Sequence, residues 1–110
     1  MALDAANKLS RLAGPANIAN GTATAFTGTA SHIYTIKNIR IVNNTAGSIT
    51  VKVGIGGVTD ALLVIPAVTL AAGDFYAEDT NMIVMAGTET LQTNATATGA
   101  TLTVSGLDQS

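Results

Sequence analysis

The stretch "SITVKVGI", residues 48 to 55, limits the possible folds more than any other part of the chain. Ile49, Val51, Val53 and Ile55 alternate with Thr50, Lys52 and Gly54. Successive side chains of a strand point to opposite faces, so this period places every aliphatic group on one side. Such a strand is buried on one face only. The same period returns in "IYTIKNIRIV", residues 33 to 42, with one fault. Tyr34 and Ile36 share one parity, and Ile39 and Ile41 share the other. A bulge near Lys37 and Asn38 would set all four on the core face. "ATLTVSGL", residues 100 to 107, repeats the alternation through Leu102 and Val104.

Shorter apolar runs fill the space between. They are "ALLVIP" (61 to 66, ended by Pro66), "VTL" (68 to 70), "FYAED" (75 to 79), "MIVMA" (82 to 86) and "TLQTNAT" (90 to 96). Turn formers separate them: "NNTAG", "AAGD" and "GTE". The runs at 33–42 and 48–55 read as an antiparallel hairpin across "NNTAG". Asn20-Gly21 reads as the tight turn of another hairpin, between a short strand and a second at 22–28. About eight short strands with no interior helix predict an all-β fold, an antiparallel β-sandwich of jelly-roll-like type or a barrel. Parallel βαβ architecture is ruled out by the lack of crossover helices.

The N-terminus reads differently. In "DAANKLSRLA", residues 4 to 13, Asp4 can cap a helix. Ala5, Leu9, Leu12 and Ala13 recur at spacings of three and four, and Gly14-Pro15 stops the run. A helix this short needs a surface to lie on. That surface is either its own domain or a neighbouring subunit. The second choice makes residues 1–15 an arm that docks Leu3, Leu9 and Leu12 on a partner. Residues 16–110 are then the sandwich domain.

Composition bears on what surrounds the fold. Charged residues are 11% of the 110, against roughly 25% in an ordinary soluble domain. Aromatics are only 4%, so large core side chains are scarce and the surface is rich in Thr, Ala, Asn and Gly. A weakly charged surface guards poorly against association. The chain is then either a monomer with a threonine-rich surface or a subunit whose surface is covered by other copies; the second reading is the sharper one. The net charge of −2 comes with scattered basic residues, which argues against nucleic acid as a partner. No apolar run approaches the ~20 residues of a membrane span. Asp4 and Arg11 interrupt any signal-peptide core. The cysteine count is 0, so neither disulfides nor thiolate metal sites arise.

Candidate chemistry is sparse. "VGIGG" places Gly54, Gly56 and Gly57 before a strand-like segment, without the spacing or the following helix of a phosphate loop; it reads as a turn. His32 follows Ser31, but strand neighbours face opposite ways, and no acid or oxyanion hole is signalled. His32 reads as an exposed loop residue. Asp74, Glu78 and Asp79, with Glu89 nearby, lack a calcium-loop pattern and read as solvated strand ends. Asn20, Asn43 and Asn94 open sequons that chance explains in so threonine-rich a chain. Sugar clefts commonly present aromatic faces. Tyr34, Tyr76, Phe26 and Phe75 are the whole supply. No catalytic, cofactor or metal residue is predicted, and the chain is expected not to be an enzyme.

Taken together, "IKNIRIVNNTAGSITVKVGIGG" and "LAAGDFYAEDTNMIVMAGTETLQTNATATGATLTVSGLDQS" resemble small β-sandwich proteins encoded among the virion genes of tailed bacteriophages. The shared pattern is a strand ending in Val-Asn, a Gly-containing turn and an aliphatic alternating strand. A Gly-Asp turn follows, then a hairpin on "MAGTETL" and a closing "TVSGL" strand before an acidic tail. "LAGPANIANGTATAFTG" resembles the first strands of the same proteins. The resemblance implies a structural role in the virion. The protein would be made in the bacterial cytoplasm and assembled as a homo-oligomer, a trimer, on the major capsid protein as a decoration or cement protein. Neck, collar or tail-fibre-attachment proteins are the alternative within the same particle. A glycan- or receptor-binding module is the alternative of another class.

Overall fold

The computed structural model describes residues 7–79 and 82–109. These form β1 (Asn7–Asn17), β2 (Gly21–Thr27), β3 (Ile33–Asn43), β4 (Ile49–Ile55), a 3-10 turn (Asp60–Leu62), β5 (Leu63–Leu70), β6 (Phe75–Glu78), β7 (Ile83–Ala86), β8 (Thr90–Ala95) and β9 (Ala100–Gln109). Two antiparallel sheets face each other. Sheet A runs β1-β9-β3, with β6 and β7 sharing the far edge of β3, and sheet B runs β2-β8-β4-β5.

The core lies between the sheets, and the alternation read from the sequence builds it. Ile49, Val51 and Val53 of β4 meet Leu102 and Val104 of β9 among the buried residues. The expected bulge is present: the β3–β9 register shifts between Ile36 and Asn38. Tyr34, Ile36, Ile39 and Ile41 are consequently all buried. Backbone contact at that bulge is close. A Cβ on Gly106 would stand 2.0 Å from the Thr35 carbonyl oxygen, so only glycine fits beneath it.

Three expectations are corrected. Residues 33–42 and 48–55 do not pair as a hairpin. β3 lies in sheet A, while β4 pairs with β5 and β8 in sheet B. Asn20-Gly21 likewise carries the chain between sheets, since β1 pairs with β9 and β2 with β8. Pro66 does not end a strand; it sits inside β5, where the register with β4 shifts between Val51 and Val53.

A fourth correction concerns the N-terminal helix. Over residues 7–13, where the expectation and the described residues overlap, the chain is strand and not helix. Asn7 to Arg11 pair in unbroken register with Gln109 to Ser105. A ten-residue helix is marginal in water, whereas the edge of β9 offers a ready ladder of backbone partners. Two register shifts follow, at Arg11/Ala13 and Ala13/Ala16. Gly14 makes the second possible, with φ 77° and an absent Cβ that would overlap the Leu102 carbonyl. The boundary expected after residue 15 falls inside β1.

Candidate assembly surface

Paired residues on neighbouring strands share a face, so the registers give the composition of each outer surface. On sheet A one cross-strand row reads Leu9, Leu107, Thr35, Val84. Ile33 stands beside it, paired with Ala86. Further along, Phe75 pairs with Val42, and the Arg40 guanidinium lies 4.5 Å above the Phe75 ring. Leu9 is 77% exposed, Val84 60%, Phe75 52% and Ile33 46%. Met82, beside β7, is also exposed, and among the described residues Leu62 of the 3-10 turn is the remaining large apolar side chain of this kind. Exposed apolar bulk is therefore concentrated on one face of the molecule.

The outer face of sheet B is of the opposite kind. Thr22 pairs with Asn94, which pairs with Lys52, and Thr50 pairs with Thr69. These groups bond to one another: Asn94 Nδ2 donates to Thr22 Oγ1 at 2.8 Å, and the Thr50 and Thr69 hydroxyls are 2.8 Å apart. The Gln92 amide donates to Thr90 Oγ1 at 3.0 Å. Part of the threonine-rich surface is thus bonded within itself.

Covering five partly exposed apolar groups, Leu9, Ile33, Phe75, Met82 and Val84, is a gross gain of about 5–9 kcal/mol at roughly 1.5–3 kcal/mol per full side chain. Association costs about 4–15 kcal/mol. The apolar patch alone roughly cancels that cost, so a stable assembly needs further bonds or several contacts at once.

The residues expected to dock a partner separate. Leu3 lies outside the described residues. Leu9 projects from the outer face of sheet A, while Leu12 packs partly buried against the core. The bulge at Leu12 turns the two leucines apart. Sequence reasoning missed Ile33, Phe75 and Val84. The available signal was the unbroken apolar run. In "MIVMA", Ile83 and Met85 take one face while Val84 takes the other, as in a strand covered on both sides.

Elsewhere the features singled out by sequence resolve as follows. His32 is not a free loop residue: its Nδ1 lies 2.8 Å from Asp108 Oδ1, tying the β2–β3 loop to the end of β9. Both groups are about a quarter exposed or more, so the pair contributes only about 0–1 kcal/mol. The Gly56 amide donates to the Thr90 carbonyl at 2.8 Å, which commits it to the backbone. Tyr34 is buried, accepts a bond from the Thr29 amide at 2.7 Å and meets Phe26 edge to face. It offers no face to a sugar. Among the described residues no three metal-ligating side chains converge, and no helix is long and apolar enough to cross a membrane. A cavity of about 250 Å³ opens between β1 and β2, walled by Ala13, Gly14, Ala23, Ala25 and Thr93. No charged side chain lines it.

No protein-family model and no curated protein sequence matches the chain.

Proposed function

We propose that this chain is a non-enzymatic structural component of a tailed-phage virion, assembling as a homo-oligomer on the capsid as a decoration protein. The observation that carries the reading is that the exposed large apolar side chains Leu9, Ile33, Phe75 and Val84 gather on the outer face of sheet A, opposite a polar sheet B. A molecule so divided is suited to lie with one side on protein and the other in water. The strand-and-turn resemblance supplies the particle. The sheet orders β1-β9-β3-β6/β7 and β2-β8-β4-β5 support a jelly-roll reading in which the sixth of eight strands is broken into β6 and β7. A trimer would restore through avidity what each weak contact lacks.

Immunogold labelling of virions from the phage that encodes the chain tests this. Label over the head is the expected result. Label confined to the neck, collar or tail would move the protein to that position with the same structural role. Absence from purified particles would refute the proposal.

A further inference from the structure

Along one side of the molecule the sandwich is filled by small residues. β1 is an edge of sheet A and β2 an edge of sheet B. The side chains that these edges present to the gap are alanines: Ala13 and Ala16, in register with Val104 and Leu102 of β9, and Ala23 and Ala25 of β2. Packed sheets stand about 10 Å apart. Facing alanines, one carbon each, do not fill that distance, and the cavity of about 250 Å³ is what remains.

One polar group reaches into it. Thr93 stands on the inner face of β8, beside Ala23 of β2 and Val53 of β4. It is only 2% exposed, and it lines the cavity. Among the described residues its side chain makes no hydrogen bond, and its hydroxyl is not sealed from solvent. The cavity is what reaches that hydroxyl. An interior hydroxyl without a partner costs folding free energy, and a bound hydrogen-bonding group would remove that cost. Asn17 and Thr24, the other polar side chains of the lining, are exposed and belong to the rim.

Size and charge narrow the occupant. A cavity of roughly 150 Å³ takes a benzene ring, so this one has room for a ring with a short substituent. No charged side chain lines it, and an ion inside would be left without a counter-charge. One inner hydroxyl also cannot satisfy the many hydroxyls of a sugar. None of the large exposed apolar side chains lines the cavity, so its rim lacks the apolar patch that marks a protein contact. A free small molecule fits better than a partner's side chain.

We propose that the cavity between β1 and β2 binds a small neutral molecule, a ring-sized apolar body carrying one hydroxyl or carbonyl. The body lies against the alanines and Leu102, and the polar group bonds to Thr93 Oγ1. The site is independent of the virion reading and would persist in a protein of any other role.

Phenol and benzene, titrated into the nitrogen-15-labelled chain, test this. Phenol should bind saturably at about millimolar concentration or below, shifting the amides of residues 13–18, 23–25 and 93. Thr93→Val keeps the β-branched shape. It should fold with an equal or higher denaturation midpoint, because the hydroxyl it removes had no partner, and its phenol-to-benzene affinity ratio should fall about fivefold. Ala23→Leu should fill the cavity and abolish binding of both compounds; if that variant does not fold, Thr93→Val carries the test. Absence of saturable shifts with either compound would overturn the assignment, as would an unchanged affinity ratio in Thr93→Val. Shifts confined to Ile33, Phe75 and Val84 would place the compounds on the outer face of sheet A and overturn it too. An oligomer that binds neither compound and is dispersed by Ala23→Leu would overturn it in favour of a neighbouring copy's side chain in the cavity.

Discussion

Asn43 shows how much structure one side chain can hold. It is fully buried at the end of β3. Its Nδ2 donates to the carbonyls of Gly47 at 2.8 Å and Leu70 at 2.9 Å, with Ala71 at 3.2 Å. Its Oδ1 accepts from the Thr45 amide and hydroxyl. One amide thus fastens the β3–β4 turn to the end of β5. Asn43→Ala should cost about 2–4 kcal/mol in denaturant unfolding, because it strands buried partners as well as removing bonds. In the sequence Asn43 is only a turn former inside a sequon; its distant partner Leu70 lies 27 positions on. His32 and Asp108 were illegible for the same reason. Tyr76 carries a pH signature. Burial first, then the Glu78 charge and a 3.3 Å hydrogen bond to it, raise the phenol above its ordinary value of about 10. The folded state holds this proton longer than the unfolded one, so the contribution is whole below pH ~10 and is lost as pH climbs through the raised value. Ultraviolet titration should show a late ionisation that disappears in Tyr76→Phe; a Tyr76 that ionises at or below the ordinary range would contradict this.

At the scale of elements, alternation told which face of a strand is buried but not which strand lies beside it. β4 was read correctly as one-sided because Ile49, Val51 and Val53 share a parity. Its neighbour was misread because "NNTAG" is as compatible with a step between sheets as with a hairpin. The β3 bulge was legible, since the parity of Tyr34 and Ile36 conflicts with that of Ile39 and Ile41. The N-terminus was misread because Leu9, Leu12 and Ala13 fit a helical face and also fit a strand with a bulge at Leu12. Only the free edge of β9 decides between them. Deleting residues 1–13 should therefore strip most of an edge strand and lower the melting temperature by several degrees or more; an unchanged melting temperature would mean that β1 adds nothing to the sandwich. Gly106→Ala should cost at least about 2 kcal/mol, because its Cβ has no room beneath the Thr35 carbonyl.

For the whole molecule, composition favours association without saying where on the surface it would occur. A charged fraction of 11% marks a surface with little repulsion, and threonine was the expected covering for the contact. The registers divide that surface instead. Hydrogen-bonded Thr22, Thr50, Thr69, Thr90, Gln92 and Asn94 lie on sheet B, while Leu9, Ile33, Phe75 and Val84 lie on sheet A among Thr35, Thr101 and Thr103. The central claim is that other copies of this chain cover the exposed apolar groups on the outer face of sheet A. Sedimentation velocity at micromolar concentration tests it most directly, comparing the wild-type chain with Val84→Glu. The wild type should sediment as an oligomer, and the variant should sediment as a folded 11.0 kDa monomer. A wild-type chain at 11.0 kDa under those conditions, or a variant that assembles unchanged, would contradict the claim.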